Sequence, residues 1–250
     1  VEVVRLIDAE TVPALVPGGE SVGSGALGAP TVDASALVVL EFMAAVPCVV
    51  RDEDLRVRWC NDAYAALSKQ PPEELLGSQL EDFQPSEAAK ERIRVIRQVL
   101  ETGRRERYYQ VGADRRLLCS LLPIDPVSFG HRGVLIMIQQ ETGLGCQCCE
   151  PGSIPVLSTP LLDELGVLSP AELRVLLHLG KGRTTAEIGG HLSRSAKTIE
   201  KQIESIHRKL DTGSRAELVR LAVERGLQAF ADGEWERIIE GAKAVKRSSN

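Results

Sequence analysis

The sequence predicts an α+β fold: a five-stranded antiparallel sheet with helices, joined by a linker to an all-α module of four helices. Three observations carry that expectation. Strand-like and helical runs are segregated, with two strands, a group of helices, then three strands joined by hairpin-length turns, as in α+β sheet domains. A Gly-, Pro- and Ser-bearing stretch separates this half from the rest. Beyond it, residues 168–227 hold four successive helix start signals and no strand pattern.

Residues 1–33 read as a flexible leader, because the glycines of PGGESVGSGALGAP are followed by no Gly-Lys-Ser/Thr and framed by no strand and helix. The sheet domain is expected over 34–141. It opens with an apolar helix at 34–45, then strands at 47–51 and 56–60 around the polar turn Asp52-Glu53-Asp54. Asn61 and Asp62 cap a short helix, residues 71–77 form another, and a long helix runs over 86–101 with Ile93, Ile96 and Leu100 on one face and Gly103 closing it. Strands follow at 105–111, 115–122 and 133–140. A linker at 142–166, with a helical piece at 161–165, leads to the helical module at 167–228 and a tail at 229–250.

In the module, Ser169, Pro170 and Glu172 supply an N-cap, a first-turn proline and a capping-box acid. Thr184 with Glu187 repeats the box, Ser195 opens a third helix, and Ser214 with Glu217 opens a fourth. Ile199, Ile203, Ile206 and Leu210 make one apolar stripe on the third helix, with Lys197, Lys201, Glu204 and Arg208 on the opposite side. A short helix pair whose second member presents basic residues matches a helix-turn-helix, which reads the DNA major groove. Residues 168–227 carry 11 Lys/Arg against 7 Asp/Glu, a net of +4, whereas the whole chain is −5. A basic module in an acidic chain suits a phosphate backbone, since DNA affinity comes largely from counterion release.

The motifs LSPAE at 168–172, the Gly180/Gly182 turn, T-x-x-E-I at 184–188, S-x-K-T-I-E at 195–200, R-K-L at 208–210 and S-R-A-E-L at 214–218 resemble the LuxR-type (GerE) DNA-binding domain. The chain departs from that pattern at Gly189-Gly190, at Gln202 in place of a frequent His, and at Ala196 in place of a frequent Pro. The resemblance implies that the helix from Ser195 to Leu210 enters the groove. Lys197 and Lys201 would then reach phosphates or guanine edges, Thr198 and Ser205 would contact phosphate or base, and Gln202 and Arg208 would lie on the same surface. Thr184 and Thr185 are placed for phosphate at a helix N-terminus. Glu200 and Glu204 have three readings: accepting from cytosine, repelling wrong sequences, or facing water, the last being the default. The family pairs through its fourth helix, which here leaves Val219, Ala222 and Val223 outside the Leu218/Leu221 side.

In the amino-terminal half, VVRDEDLRVRWCNDAYAAL at 49–67, PPEELLG at 71–77 and GVLIMIQQE at 133–141 resemble a PAS domain. The resemblance implies a cavity between sheet and helices for a small ligand, and pairing through the sheet or a leading helix. Light-sensing members carry a reactive cysteine in G-x-N-C-R-F-L-Q; Leu80 stands there, which argues against a flavin–thiol adduct. Haem would want an axial His, and none precedes His131. Trp59, Tyr64, Phe83, Tyr108 and Tyr109 either line a pocket or fill a core, the commoner role.

Of six cysteines, Cys48, Cys60 and Cys119 sit in apolar strand-like runs and Cys146, Cys148 and Cys149 crowd the linker. A zinc site wants a second pair, so reduced linker thiols are favoured over metal or redox chemistry, and no metal is expected. No apolar run approaches the roughly 18 residues of a membrane span, and the start lacks a signal peptide, so a cytoplasmic chain is expected. In the tail, Trp235, Ile238, Ile239 and Ala242 share a helix face that either covers the module or extends a dimer contact. No nucleophile–base grouping or nucleotide loop points to an enzyme. The expected function is a transcriptional regulator that binds double-stranded DNA as a homodimer under control of a possible small-molecule ligand, with no certain cofactor. The alternative is a sensor acting through protein partners.

Overall fold

A computed structural model describes residues 31–43, 45–142 and 153–248. Five strands, β1 (Cys48–Asp52), β2 (Val57–Cys60), β3 (Glu106–Gly112), β4 (Arg115–Pro123) and β5 (Gly133–Gln140), form one antiparallel sheet in the order β2-β1-β5-β4-β3. Every strand lies within one residue of its expected bounds. Ala113 and Asp114, both at positive φ, make the two-residue turn between β3 and β4, the backbone that the twist of paired strands favours.

The inner face follows from alternation along the strands. Val49, Val57, Tyr108, Leu117, Cys119, Leu121, Ile136 and Ile138 point one way and meet Tyr64 and Ala65 of α2 (Asp62–Ser68), Leu75 of α3 (Pro72–Leu75), and Ala89, Ile93, Ile96 and Val99 of α4 (Ser86–Thr102). Asn61 caps α2 and also takes the Cys48 amide at 2.9 Å, tying helix to sheet.

The outer face is divided between two covers. Over β1 and β5, Cys48, Val50 and Leu135 pack with Leu40 of α1 (Ala36–Phe42); α5 (Pro126–Phe129) follows β4. Over β3 and β4, Tyr109, Val111 and Leu118 belong to the same core as the carboxyl-terminal helices α6 (Pro170–Gly180), α7 (Thr185–Leu192), α8 (Ala196–Leu210), α9 (Arg215–Glu224) and α10 (Asp232–Ser248).

The linker is more structured than its composition suggests. Residues 155–161 run along the open edge of β3: the Tyr109 amide donates to the Pro155 carbonyl at 2.8 Å, the Leu157 amide to Tyr109 at 2.8 Å and the Leu161 amide to Val111 at 2.9 Å. An edge strand leaves a row of unpaired backbone groups, and this segment satisfies them. The expected helical piece is instead a 3₁₀ turn at Glu164–Val167. The open question about the tail is answered by α10, whose Trp235, Ile238 and Ile239 are fully buried in the module's core, the Trp235 indole donating to the Leu173 carbonyl at 3.1 Å. Residues 1–30 of the expected leader, and Cys146, Cys148 and Cys149, lie outside the described residues.

Candidate nucleic-acid interface and sensor cavity

The helix-turn-helix is built from α7 and α8. Ser193, at φ 52°, ends α7, and the Arg194 amide returns to the Gly189 carbonyl at 2.8 Å. The turn is so close that a Cβ on Gly189 would sit 2.7 Å from the Arg194 carbonyl oxygen. Glycine there is therefore demanded by the turn and is not merely a weak helix former. Ser195 caps α8 through the Thr198 amide at 3.2 Å, and the two hydroxyls hydrogen-bond each other at 2.8 Å.

From there α8 is two-sided. Ile199, Ile203 and Ile206 are buried and Leu210 packs partly against the same core, while Lys197, Glu200, Lys201, Glu204 and Arg208 are exposed and Gln202 and Ser205 are half-exposed. Lys197 and Lys201 make no ion pair among the described residues; the Arg208 guanidinium donates to Ser205 Oγ at 3.3 Å. The neighbouring Lys209 turns inward to Glu172 of α6 at 2.7 Å, which separates a structural cation from the outward-facing ones. The sheet meets the module on its α6, α9 and α10 side, so the lysine side of α8 is left to solvent.

Two expected site residues are placed differently. The Thr184 amide donates to Glu187 Oε2 at 2.7 Å and its hydroxyl to the same oxygen at 2.8 Å, so the capping box has taken the groups assigned to phosphate. Thr185 Oγ1 accepts from Arg215 at 3.2 Å, which leaves a hydroxyl donor beside the turn. Ala222 is fully buried, because it fills the gap opposite Gly180, where an added Cβ would lie 2.8 Å from its own. It offers no outer surface. Val219 is half-buried and Val223 is exposed, and with exposed Ala216 they form a row at i, i+3 and i+7 that was readable from spacing. Arg194 is exposed in the turn before Ser195, and Arg215 donates to the Arg183 carbonyl at 2.6 Å; each is a cation flanking an N-cap.

The scaffold carries two displaced titrations. Burial would raise Glu172, but hydrogen bonds from Lys209, the Ser169 amide and Ser205 hold it down to about 2. His178 is pushed down to about 4 by burial and then by the Arg183 cation. Arg183 donates to His178 Nδ1, which fixes that nitrogen as the acceptor of a neutral ring.

Between the inner sheet face and α2–α4 lies a cavity of about 390 Å³. Tyr64, Phe83 and Tyr108 line it and are also core residues; Trp59 instead packs beneath α1, and Tyr109 faces the module, where the Arg116 guanidinium stacks 3.6 Å from its ring centre. Leu80 lines the cavity, whereas His131 is half-exposed on a loop and is not among the lining residues. Linker residues Pro160–Asp163 and Ala242 of α10 close one side, so the cavity wall is shared by the sheet domain, the linker and the module.

A five-stranded sheet domain with a cavity under its helices thus precedes a helical module that presents a helix-turn-helix. Residues 43–142 match the PAS fold family, and residues 166–222 match the luxR family of bacterial regulatory proteins. The chain is similar to the transcriptional activator protein ExaE of Pseudomonas putida, 42% identical over 64 residues, which is 26% of this chain and 30% of that protein. It is also similar to the transcriptional regulatory protein ComA of Bacillus subtilis, 41% identical over 64 residues and again 26% and 30% of the two chains. The match thus spans about a third of the length of these curated relatives. Among solved structures, VqmA of Vibrio cholerae in a ligand–DNA complex is 19% identical, with 80% of this chain and 91% of that chain covered at a TM-score of 0.43. Among the described residues, no helix is long and apolar enough to cross a membrane.

Proposed function

We propose that this protein is a DNA-binding transcriptional regulator in which a ligand-sensing PAS half controls a LuxR-type helix-turn-helix. The observation that carries the reading is the exposed side of α8, whose Lys197 and Lys201 make no ion pair among the described residues, set on a stripe of buried isoleucines inside a segment that matches the luxR family. In this reading Lys197 and Lys201 reach phosphates or guanine edges, with Ser195, Thr198, Gln202, Ser205 and Arg208 beside them. Arg194 and Thr185 add phosphate contacts at the turn, Glu200 and Glu204 face water, and Thr184 acts as a cap. Two copies pair through Val219 and Val223 of α9, and a symmetric dimer reads half-sites about one helical turn apart. Kinship with regulators points away from catalysis. Signal reaches the module through the linker and α10, which wall the cavity on one side and join the module's core on the other.

The test is a titration of promoter fragments at several salt concentrations. The native chain should bind with a steep negative salt slope. Lys197→Ala and Lys201→Ala should each weaken binding and lower the slope by about one if they contact phosphate. Unchanged binding by the double variant overturns the groove assignment.

A further inference from the structure

We infer that the sensor cavity takes a small organic carboxylate, gripped by Arg51 of β1 and Arg92 of α4. This rests on the reading of the PAS half as the sensing part. Both arginines line the cavity, Arg51 with no exposure and Arg92 at 3%, and neither has a carboxylate at ion-pair distance among the described residues. A guanidinium stays charged in a protein, and a buried charge is tolerated when it meets an opposite one.

Each side chain is held so that part of its donor set remains unused. Arg51 donates to the Leu55 carbonyl at 2.7 Å, to the Ser78 carbonyl at 3.4 Å and to the Tyr64 hydroxyl at 3.3 Å; Arg92 donates to the Ala88 carbonyl at 2.8 Å and to the Thr159 carbonyl at 3.4 Å. Nε of both has no hydrogen-bond partner among the described residues. The third cation on the wall, Lys69, is already neutralised by Asp163 at 2.7 Å. Two anchored arginines with spare N–H groups match the planar, two-oxygen face of a carboxylate.

The remaining walls describe the rest of the molecule. Leu80, Phe83, Ile96, Tyr108 and Ile136 are apolar or aromatic, so the body is apolar and no larger than a substituted ring suits. Gln110, 5% exposed, and Gln84 each present a side-chain oxygen with no partner among the described residues, which calls for a hydroxyl or N–H on that body. Because Arg92 also holds the Thr159 carbonyl of the linker, occupancy of the cavity bears directly on the segment leading to the module.

The experiment uses the full chain with 4-hydroxybenzoate, benzoate, phenylacetate and hexanoate as probes, and 4-hydroxybenzamide as the uncharged counterpart, read by calorimetry and thermal melting. At least one acid should bind and raise Tm, with 4-hydroxybenzoate at least about tenfold tighter than its amide, the loss expected when a charge-assisted hydrogen-bond pair is weakened. Arg51→Gln and Arg92→Gln should each weaken acid binding about tenfold or more while the chain still melts cooperatively. Equal binding of acid and amide, acid binding unchanged in both variants, or no binding by any of the four acids overturns the proposal; the acid-against-amide comparison uses the native chain and survives a misfolded variant. Promoter binding is measured in parallel. DNA binding without carboxylate binding overturns the ligand class alone, whereas carboxylate binding without DNA binding overturns the regulator reading instead.

Discussion

Gly189 and Gly190 are neighbours in α7 with opposite requirements. Alanine is about 1 kcal/mol better than glycine inside a helix. At Gly190 nothing lies within 4 Å of an added Cβ, so Gly190→Ala should raise stability by about that amount. At Gly189 the Cβ would press on the Arg194 carbonyl, and Gly189→Ala should destabilise despite its propensity gain. Urea midpoints of the two variants check the pair; equal shifts would mean that the turn is looser than described. Acid stability gives a second residue-scale prediction. Glu172 has a folded pKa of about 2 against an ordinary 4.5, so its contribution is complete above 4.5 and is lost as pH falls to about 2. His178 is favoured neutral, at about 4 against 6.5, so its contribution is complete above 6.5 and is lost as pH falls to about 4. Each is worth about 3 kcal/mol by proton linkage. In stability–pH curves, His178→Gln should flatten the limb between pH 6.5 and 4, and Glu172→Gln the limb below 4.5. Legibility at this scale was uneven for physical reasons. Lys197 and Lys201 follow from a 3.6-residue period. Thr184 does not, because one residue type serves both capping and phosphate binding. Arg51 and Arg92 were invisible, since a charged residue in a strand or helix reads as solvated until its burial is known.

At the scale of elements, strands were readable almost to the residue because apolar alternation and turn chemistry agree there. The linker was not. Its glycines and prolines signal irregular chain, yet residues 155–161 pair with β3 because an edge strand offers partners that sequence alone does not reveal. The pairing is pinned by Asp114, in the β3–β4 turn, whose carboxylate accepts the Asp163 amide at 2.8 Å and the Leu165 amide at 3.0 Å and meets Arg225, just past the end of α9, at 3.1 Å. Burial raises its pKa, and those donors oppose the rise. Asp114→Ala leaves the buried Leu165 amide and the part-buried Asp163 amide without their acceptor, at a cost of about 1–3 kcal/mol for a buried group left unsatisfied, while Arg225 keeps Glu164 at 2.6 Å. Hydrogen exchange should then quicken at residues 157–165 while the β1–β5 pairing keeps its protection. Unchanged exchange in the linker would show that its edge pairing stands without the turn.

At the scale of the molecule, the two halves do not sit as beads on a string. Tyr109, Val111 and Leu118 of the sheet share one core with Leu173, Leu176, Phe230 and Trp235 of the module, and Arg116 lies between the Tyr109 and Phe230 rings. Such a core links stabilities, because removing apolar volume on one side leaves a cavity that the other side also lines. The chain has two tryptophans, Trp59 in the sheet domain and Trp235 in the module, which makes the linkage measurable. Trp59→Phe leaves fluorescence reporting on the module, and Trp235→Phe leaves it reporting on the sheet. Denaturant midpoints from the two reporters should coincide, and adding Leu118→Ala should lower both together, corresponding to a loss of about 2–5 kcal/mol in unfolding free energy, the usual cost of such a core truncation. If only the sheet reporter moves, the shared core does not couple the halves, and a signal from the cavity would have to reach α8 through the linker alone.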